Sequence, residues 1–361
     1  MTKKYGMIGC GMMGHEHIAN VNLLDGADIS VVYDPVSDLA EAASKEASGA
    51  KIASSIEALV KTPGLDAIII VSPNHSHIDN LEEISAVKDL PILCEKPIYS
   101  HPHQEARLDR FLKNHKSPIW VAMEYRYMPP IQKFIEKADY ITGGIKMLTI
   151  KEHRFPFLRK IGDWNRFNHN SGGTLVEKCC HFFDLMRLIL QSNPIRVSAS
   201  AGQMVNHLDE VYDGMTSDIW DGGYVIFDFE NGARAMLELC MFADGTKWNE
   251  EIGAIGHKGK IECRLPGPQR LWPKELGPPP HSQLSTFPRN PKRPETQDVL
   301  IDKTILDAGD HHGSTFFQHQ KFLDVLNGKG SVEVTPEDGK MAVKMGLMAQ
   351  KAASTHSVVE F

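Results

Sequence analysis

The chain has 361 residues, of which 42% are hydrophobic and 24% charged, and this length suits two domains that share an interface. Its formal net charge of −7 argues against nucleic acid or an anionic membrane surface as the main partner, because phosphate binding needs an excess of lysine and arginine. The longest apolar run, residues 67–71, is far shorter than the roughly 20 residues that cross a bilayer. Six cysteines, two of them adjacent, do not suggest a disulfide framework, and Met1–Lys4 is followed by a glycine-rich segment rather than by the long apolar region of a secretory leader. We therefore expect a cytoplasmic protein.

The first 125 residues alternate between strand-like and helix-like patterns. Short apolar runs typical of buried strands lie at 5–8, 29–33, 67–71, 92–94 and 119–123. Apolar residues at helical spacing, or helix-forming composition, predict helices over 13–24, 37–48, 78–87 and 104–115. Strands and helices that alternate with short connections predict an α/β fold with a doubly wound parallel sheet, so we expect a Rossmann dinucleotide-binding domain over residues 1–124.

After Tyr125 the pattern changes to a succession of strands with a few helices. The predicted strands lie at 145–150, 195–201, 224–228, 234–241 and 252–255. This order indicates a second domain, residues 125–361, of the α+β type with a large, open and mostly antiparallel sheet. Nine prolines between residues 266 and 294 predict a long irregular excursion, whereas Thr335-Pro336-Glu337-Asp338 is typical of a helix start.

The segment Gly9-Cys10-Gly11-Met12-Met13-Gly14 is a G-x-G-x-x-G motif between a predicted strand and a predicted helix. In that context the first glycine allows a tight turn, the second lets the backbone approach a pyrophosphate, and the third allows close packing. The helix N-terminus then faces the anion. The alternative is a glycine-rich turn that binds nothing.

Asp34 ends the second predicted strand, 25 residues after Gly9. A carboxylate at this place accepts hydrogen bonds from the adenosine ribose hydroxyls and repels a 2′-phosphate. No lysine or arginine follows before Lys45, which favours NAD over NADP as the cofactor. The alternative is that Asp34 only begins an Asp-Pro turn.

Two further segments can carry chemistry. Lys96 follows the fifth predicted strand, at the edge where open α/β sheets bind their ligands, and partial burial there can lower the pKa of a lysine below about 10.4 so that it exchanges a proton with a hydroxyl. The alternative is a surface lysine paired with Glu95. Glu177, His181 and Asp184 form a polar stripe on an otherwise apolar predicted helix. They are either a site or a carboxylate–imidazole–carboxylate network that holds two elements together.

Four motifs, in this order along the chain, resemble the Gfo/Idh/MocA family, named for glucose–fructose oxidoreductase, inositol dehydrogenase and a rhizopine-catabolism protein. They are Gly9-x-Gly11-x-Met13-Gly14-x-x-His17, Ser72-Pro73-Asn74-His75-Ser76-His77, Glu95-Lys96-Pro97, and Gly172-Gly173 followed by Glu177-x-x-x-His181-x-x-Asp184. The resemblance implies a Rossmann domain, a C-terminal domain whose open sheet packs against another subunit of a homodimer or homotetramer, and nicotinamide-dependent oxidation of a secondary alcohol on a sugar, sugar derivative or inositol.

The resemblance also assigns roles to single residues. Lys96 and His181 are implied as the catalytic pair on the substrate hydroxyl, with Glu177 as a third catalytic residue where relatives commonly have Asp. The implied cofactor-binding residues are Gly9, Gly11, Met12, Met13, Gly14, Asp34, Ser72, Pro73, Asn74, His77, Glu95, Lys96, Tyr125, Trp164 and Arg166. We expect a polyhydroxylated substrate to contact Lys96, Arg126, His153, Trp164, Asn165, Glu177, His181 and His312.

Three alternatives to this prediction are a metal site, a redox glycosidase and a non-catalytic sensor. We expect no metal site, because His75-x-His77, His101-x-His103, His311-His312 and Cys179-Cys180 lack the paired spacing of structural zinc ligands. A redox glycosidase that oxidises its sugar transiently with bound NAD needs nearly the same motifs. A non-catalytic NAD-binding sensor needs neither Lys96 nor His181, and both are present.

Overall fold

A computed structural model describes residues 2–361 and places a six-stranded parallel sheet in the first third of the chain. Its strands are β1 (Lys3–Ile8), β2 (Ala27–Tyr33), β3 (Lys51–Ile52), β4 (Ala67–Ile70), β5 (Ile92–Cys94) and β6 (Ile119–Val121), in the spatial order β3-β2-β1-β4-β5-β6. The helices between them are α1 (Met12–Val21), α2 (Ser37–Glu46), α3 (Ile56–Val60), α4 (His77–Val87) and α5 (Pro102–Asn114). The predicted doubly wound sheet is confirmed; only the short β3 and α3 lacked a sequence signal.

The strand order reverses next to β1, and this reversal creates the ligand crevice. β1 pairs in parallel with β2 on one side and with β4 on the other, so the connections after β1 and after β4 leave in opposite directions. β4 is buried along its whole length, as a central parallel strand must be. The carboxyl ends of β1, β4 and β5 meet at one edge, where open α/β sheets bind their ligands.

The rest of the chain contributes seven helices and a nine-stranded sheet. The helices are α6 (Pro129–Thr142), α7 (Asn168–Ser171), α8 (Thr174–Glu177), α9 (Cys180–Leu190), α10 (Lys303–Asp307), α11 (Ser314–Leu326) and α12 (Pro336–Thr355). The strands are β7 (Ile145–His153), β8 (Pro194–Gly202), β11 (Gly222–Phe229), β12 (Arg234–Cys240), β13 (Glu250–Gly256), β14 (Gly259–Leu265), β15 (Ser282–Pro288), β16 (Glu295–Val299) and β17 (Val359–Glu360). Three of these helices, α6, α9 and α12, pack against the sheet. A separate hairpin joins β9 (Val211–Tyr212) and β10 (Met215–Thr216).

The sheet has the order β16-β15-β14-β13-β7-β12-β11-β8-β17, and the pair β7–β12 is parallel whereas the other pairs are antiparallel. The predicted mostly antiparallel sheet is therefore confirmed. Short 3₁₀ turns occur at Asn74–Ser76, Glu124–Tyr127, Ile161–Arg166, Gln269–Leu271 and Lys274–Leu276.

The proline-rich stretch differs from its prediction. Residues 266–281 are irregular, but β15 then pairs with both β14 and β16 in the large sheet. The strand forms because its only proline, Pro288, is its last residue, where a missing N–H costs little. Expecting a single irregular excursion over 266–294 was therefore wrong for its second half.

Helices from the end of the chain return to the first sheet. α12 begins as the sequence predicts, since Thr335 caps it and accepts from the backbone of Asp338 in a capping box. Phe322 and Leu323 on α11, together with Ala342 on α12, join the core of the parallel sheet. All six cysteines carry free thiols. Within residues 2–361, no helix combines the length and the apolar character needed to cross a membrane.

Candidate active site

A cavity of about 680 Å³ runs along the carboxyl edge of the parallel sheet and continues between the two lobes of the chain. One end is formed by the glycine loop and Asp34, and the middle by Lys96, Tyr125 and His181. The other end lies against the last residues of β7 and the first of β13. The cavity is therefore long enough to contact both the dinucleotide motif and residues of the second sheet.

The glycine loop forms the cradle that its motif predicts. Gly9 has a φ of +95°, and a Cβ atom there would lie 2.6 Å from the backbone nitrogen of Ser72. Gly11 is the N-cap of α1, and a Cβ on it would meet nothing within 4 Å, so this part of the backbone is open to the cavity. Gly14 packs against Gly9, whose carbonyl oxygen would lie 2.9 Å from an added Cβ. Met12 and Met13 line the cavity beside this cradle. The open backbone and the free helix N-terminus suit a dinucleotide pyrophosphate.

Asp34 lines the same end of the cavity and is also used structurally. Its carboxylate accepts from the backbone N–H groups of Cys10 at 2.8 Å and Val36 at 2.9 Å, which fixes it beside the glycine loop. Each carboxylate oxygen can accept more than one hydrogen bond, so both remain able to accept a ribose hydroxyl. Among the described residues that line this end, from Ile8 to Asn80, none is a lysine or an arginine.

The loop after β4 lies beside the cavity, with one exception among its predicted residues. Ser72, Pro73 and Asn74 line the cavity, and the Asn74 amide donates to the carbonyl oxygen of Ser171, which joins the two lobes. His77 does not line it. Its two ring nitrogens face the carbonyl oxygens of Pro97 at 2.8 Å and Ser72 at 2.9 Å, so this buried ring supports the loop from behind.

Lys96 crosses from the first lobe to the second, where its ammonium donates to the carbonyl oxygen of Glu177 at 3.0 Å. Burial by itself lowers the pKa of Lys96, but the field of Cys180, Glu95 and Glu177 outweighs burial and raises this pKa above its ordinary value. The expectation of a lowered lysine pKa was therefore wrong for the ligand-free protein. Lys96 is a charged donor at neutral pH.

Glu95, the residue before Lys96, also borders the cavity. Its side chain is buried and lies 3.0 Å from Nε2 of His17, whose Nδ1 is 2.8 Å from Nε2 of His319 on α11. The alternative of a surface pair between Glu95 and Lys96 does not hold, because both groups are buried or partly buried and Glu95 has a histidine partner.

His181, at the start of α9, lines the cavity next to Tyr125. The two rings stack with centroids 4.1 Å apart and planes 8° apart. Burial lowers the pKa of His181 well below its usual value, and the positive charges of Lys96 and Lys178 lower it further. Nδ1 is buried and has no hydrogen-bond partner among the described residues. His181 is therefore a neutral imidazole that can accept a proton.

The polar stripe predicted for Glu177, His181 and Asp184 is not a network. The helix is interrupted after Glu177, where the amide of Cys179 bonds to the carbonyl of Thr174, five residues back. Glu177 and His181 line the cavity, whereas Asp184 lies outside it. Glu177 Oε1 lies 3.4 Å from the ammonium of Lys160, and its Oε2 is buried without a described partner.

Trp164 lines the cavity as expected. The Lys160 ammonium lies 4.4 Å from the centroid of the Trp164 ring, and the His75 ring meets that ring edge-on at 6.2 Å. His312 also lines the cavity, with Nε2 facing the carbonyl oxygen of Pro266 at 3.0 Å. Burial lowers the pKa of His312 to about 4, so this ring is neutral.

Four other predicted residues lie outside the cavity because partners elsewhere hold their side chains. Arg126 forms a buried bidentate pair with Asp184, and Arg166 bonds to Glu210 at 2.8 Å. The remaining two are His153, which faces Glu238 at 2.9 Å, and Asn165, which donates to the carbonyl of Leu158. The structure does not bring these four side chains to the site.

One partly buried cluster in the cavity wall contains residue types that can bind a metal. Ligand atoms of Glu16, Glu124 and His311 lie within 4.8 Å of one another, and His311 Nδ1 is 2.7 Å from Glu16 Oε1. Burial opposes protonation of His311, but the two carboxylates outweigh it and raise its pKa to about 9. At neutral pH the cluster is therefore an ion-pair group, and a metal ion would have to displace the His311 proton to bind there.

Sequence reasoning missed three buried charged residues that line the far end of the cavity: Glu152, Lys178 and Glu250. A signal for two of them existed. On β7 and β13 the buried rows alternate with exposed residues, and each row has a glutamate at its cavity end. Charges in a buried row are costly, so their presence there indicates a use.

Both parts of the chain match known domain families. Residues 3–123 match the oxidoreductase family's NAD-binding Rossmann fold, and residues 141–361 match that family's C-terminal alpha/beta domain. The chain belongs to the Gfo/Idh/MocA family of oxidoreductases. This membership confirms the resemblance seen in the four motifs.

Individual Gfo/Idh/MocA relatives share only a modest fraction of their residues with this chain. Inositol 2-dehydrogenase 2 of Saccharopolyspora erythraea is 36% identical over 277 residues, which cover 74% of each chain. The structure of levoglucosan dehydrogenase in complex with NADH and levoglucosan aligns with a TM-score of 0.82 at 18% identity, over 100% of this chain and 99% of the other. A myo-inositol dehydrogenase structure from Corynebacterium glutamicum aligns with a TM-score of 0.77 at 18% identity, over 100% and 99%. At such identities the two structures show a shared fold.

Proposed function

We propose that this Gfo/Idh/MocA protein is an NAD-dependent dehydrogenase that oxidises a secondary alcohol of a sugar, a sugar derivative or an inositol. The observation that carries the proposal is the pairing of a charged Lys96 with a neutral His181 in one cavity that begins at the glycine cradle. Oxidation of an alcohol needs a base for the hydroxyl proton and a positive group beside the oxygen that becomes a carbonyl.

The roles of the two residues follow from their charges. His181 accepts the hydroxyl proton, since its imidazole is neutral and its pKa is too low for it to be already protonated. Lys96 donates a hydrogen bond to the same oxygen and stabilises the negative charge that develops as the proton leaves. A nicotinamide bound along the loop of Ser72, Pro73 and Asn74 supplies the hydride acceptor. Glu177 holds Lys160 near the reacting group and adds negative charge beside Lys96.

The preference for NAD rests on the adenosine end of the cavity. Asp34 is held by two backbone N–H groups in a position where it can accept ribose hydroxyls. A 2′-phosphate there would meet a carboxylate and no lysine or arginine among the described lining residues from Ile8 to Asn80.

The proposed substrate class rests on the cavity wall and on the relatives. The substrate half of the cavity is rich in hydrogen-bonding groups and carries the aromatic face of Trp164, a combination that suits polyhydroxylated molecules. Relatives named inositol 2-dehydrogenase support an inositol or sugar substrate. We place the reaction in the cytoplasm, in agreement with six free thiols.

The assembly that we propose is a homodimer or homotetramer formed through the outer face of the nine-stranded sheet. Met147, Tyr224 and Ile226 project from this face and are 56%, 55% and 44% exposed. An exposed row of large apolar side chains on a sheet is typical of an interface. Sedimentation at several protein concentrations tests this assembly.

The function is tested by incubating a panel of inositols and sugars with NAD or NADP at alkaline pH. The absorbance of the reduced nicotinamide is recorded over time and at equilibrium. We expect reduction of NAD by at least one neutral polyol, and slower reduction of NADP. Glycoside cleavage with isotope exchange at one sugar carbon and no net NADH would indicate the redox glycosidase instead. Binding of NAD with no turnover on any compound would indicate a sensor.

A further inference from the structure

The core-facing rows of two neighbouring strands end in carboxyl groups at the far end of the cavity. On β7 the buried row runs Leu148, Ile150, Glu152, and on β13 it begins at Glu250. Glu152 and Glu250 are direct antiparallel partners, and both side chains are buried. Like charges opposite each other on one face of a sheet are destabilising, so this pair opposes stability where it stands.

The pair is only partly neutralised by its surroundings. The Lys178 ammonium lies 2.9 Å from Glu152 Oε1 and donates to the hydroxyl of Tyr125 at 2.5 Å. Arg154 lies farther away, with 3.7 Å between its NH1 and Glu152 Oε1. Glu152 Oε2 has no hydrogen-bond partner among the described residues. The carboxyl of Glu250 borders the cavity, and within residues 2–361 it forms neither a hydrogen bond nor an ion pair.

The ring of Tyr125 connects Lys178 and Glu152 to His181. Tyr125 stacks face to face on His181, and its hydroxyl bonds to Lys178, which in turn pairs with Glu152. His181, Glu152 and Glu250 line the same cavity, so a ring-shaped substrate with one hydroxyl at His181 can extend toward the two glutamates. The groups that it meets there are two acceptors with free lone pairs and the guanidinium of Arg154.

We infer that Glu152, Glu250 and Arg154 form a subsite for a vicinal diol on an uncharged part of the substrate. The inference rests on the proposed function and deepens it. A hydroxyl both donates and accepts, so two adjacent hydroxyls can donate to the glutamates and accept from Arg154. A carboxylate substituent would face both glutamates, whereas an uncharged diol avoids this repulsion. The subsite thus selects neutral polyols against uronates.

Binding at this subsite depends on pH in a way that a purely structural glutamate would not produce. Burial, and then the charge of Glu152, raise the pKa of Glu250 to about 7. The other charged groups that face it are Lys178, Arg154 and His311. As the pH rises through 7, Glu250 loses its proton and becomes a stronger acceptor, so polyol binding tightens.

The experiment measures binding to the NADH-loaded protein by calorimetry, which does not require turnover. The probes are myo-inositol and D-glucose as neutral polyols, with D-glucuronate as the anionic counterpart of glucose. We expect a neutral probe to bind the wild type, and Glu250→Gln to weaken its binding about tenfold and to remove the change in affinity around pH 7. Glu251→Gln is the matched control, because Glu251 faces the opposite side of β13 and pairs with Arg264.

Each outcome decides between the two proposals. Binding of D-glucuronate as tightly as D-glucose, unchanged affinity in Glu250→Gln, or no binding of either neutral probe would overturn the subsite. Glu250-dependent binding of a polyol that is never oxidised would uphold the subsite and contradict the dehydrogenase. Oxidation of a polyol with the same affinity in Glu250→Gln would uphold the dehydrogenase alone.

Discussion

The ammonium of Lys96 donates a 3.0 Å hydrogen bond to the backbone carbonyl of Glu177, although 81 residues separate them. The bond joins the carboxyl end of β5 to the last residue of α8, just before α9. The same carbonyl also accepts from the Cys180 thiol. This contact between the lobes therefore fixes Lys96 in the cavity that His181 also lines.

Replacement of Lys96 by methionine removes the charge and the donor but keeps an unbranched side chain that is shorter by one non-hydrogen atom. We expect kcat to fall about 10²-fold or more, since the developing negative charge on the substrate oxygen loses its stabilisation. The affinity for NAD, measured by fluorescence titration, should change little because the glycine cradle is intact. Lys88→Met, at an exposed lysine, is the control. A Lys96→Met enzyme with near-normal turnover would remove this residue from the mechanism.

The pH profile tests His181 as the proton acceptor. Burial and the nearby lysines keep the pKa of His181 well below its ordinary value, so the ring stays neutral as the pH falls through 6.5. We expect kcat/KM to lack a decrease near pH 6.5 and to fall only at a clearly lower pH. In His181→Asn, kcat should decrease about 10²-fold at every pH. An acid limb at the ordinary histidine value, unchanged in His181→Asn, would assign proton transfer to another group.

Most of the fold was predictable from the chain because its signals are local. The buried run at 67–71 and the capping box at Thr335 are set by a few adjacent residues, and both elements form where the sequence indicates. β15 was missed because its pairing with β14 and β16 is not encoded in its own proline-rich neighbourhood. Where local composition and long-range strand pairing favour different structures, as in β15, the pairing determines the structure that forms.

The sequence brought Lys96 and His181 together as candidates, and both line one cavity, but it predicted the cavity wall less well. Arg126 and Arg166 have residue types that suit substrate recognition, but each is held by a carboxylate far along the chain, at Asp184 and Glu210. Such pairing depends on tertiary structure, which residue type does not reveal. The wall residues Glu152 and Glu250 carried a signal in their buried rows, and a search for charges at the ends of apolar rows would have found them.

The adenosine end gives a separate prediction for the cofactor. We expect Asp34→Ala to weaken NAD binding about tenfold, because the ribose hydroxyls lose an acceptor, and to reduce the discrimination against NADP, since the repelling carboxylate is gone. Equilibrium titration with both cofactors measures this. Asp28→Ala, at an exposed position on the same β2 strand, is the control. NAD affinity that is unchanged in Asp34→Ala would mean that the carboxylate serves only the backbone of Cys10 and Val36.

A substitution at Arg126 distinguishes a role in stability from a role in substrate binding. Its guanidinium is 9% exposed and forms two hydrogen bonds with the buried carboxylate of Asp184. Arg126→Met leaves that carboxylate without a counter-charge, so the free energy of unfolding should fall by about 3–5 kcal/mol. Arg196→Met, which breaks an exposed pair with Asp228, should cost less than about 1 kcal/mol. Denaturant titration measures both losses. A large rise in KM for the folded Arg126→Met enzyme would instead place this residue at the substrate.

The ion-pair cluster around His311 makes stability depend on pH. Burial alone would lower the pKa of His311, but Glu124 and Glu16 raise it from 6.5 to about 9. The folded state thus holds a proton that the unfolded chain releases at lower pH, and the stabilisation is complete below pH 6.5 and lost as the pH rises toward 9. Relative to His311→Gln, the wild type should lose up to about 3 kcal/mol of unfolding free energy across this range.

Denaturant titrations at several pH values measure this difference, with His281→Gln at an exposed histidine as the control. The control should follow the wild-type curve at every pH. The same titration in the presence of divalent cations distinguishes an ion pair from a metal site. A metal bound by Glu16, Glu124 and neutral His311 would stabilise the wild type most at high pH, where a proton no longer competes. Because His311 is an imidazolium held by two carboxylates, we expect added cations to leave its stability curve unchanged below pH 8.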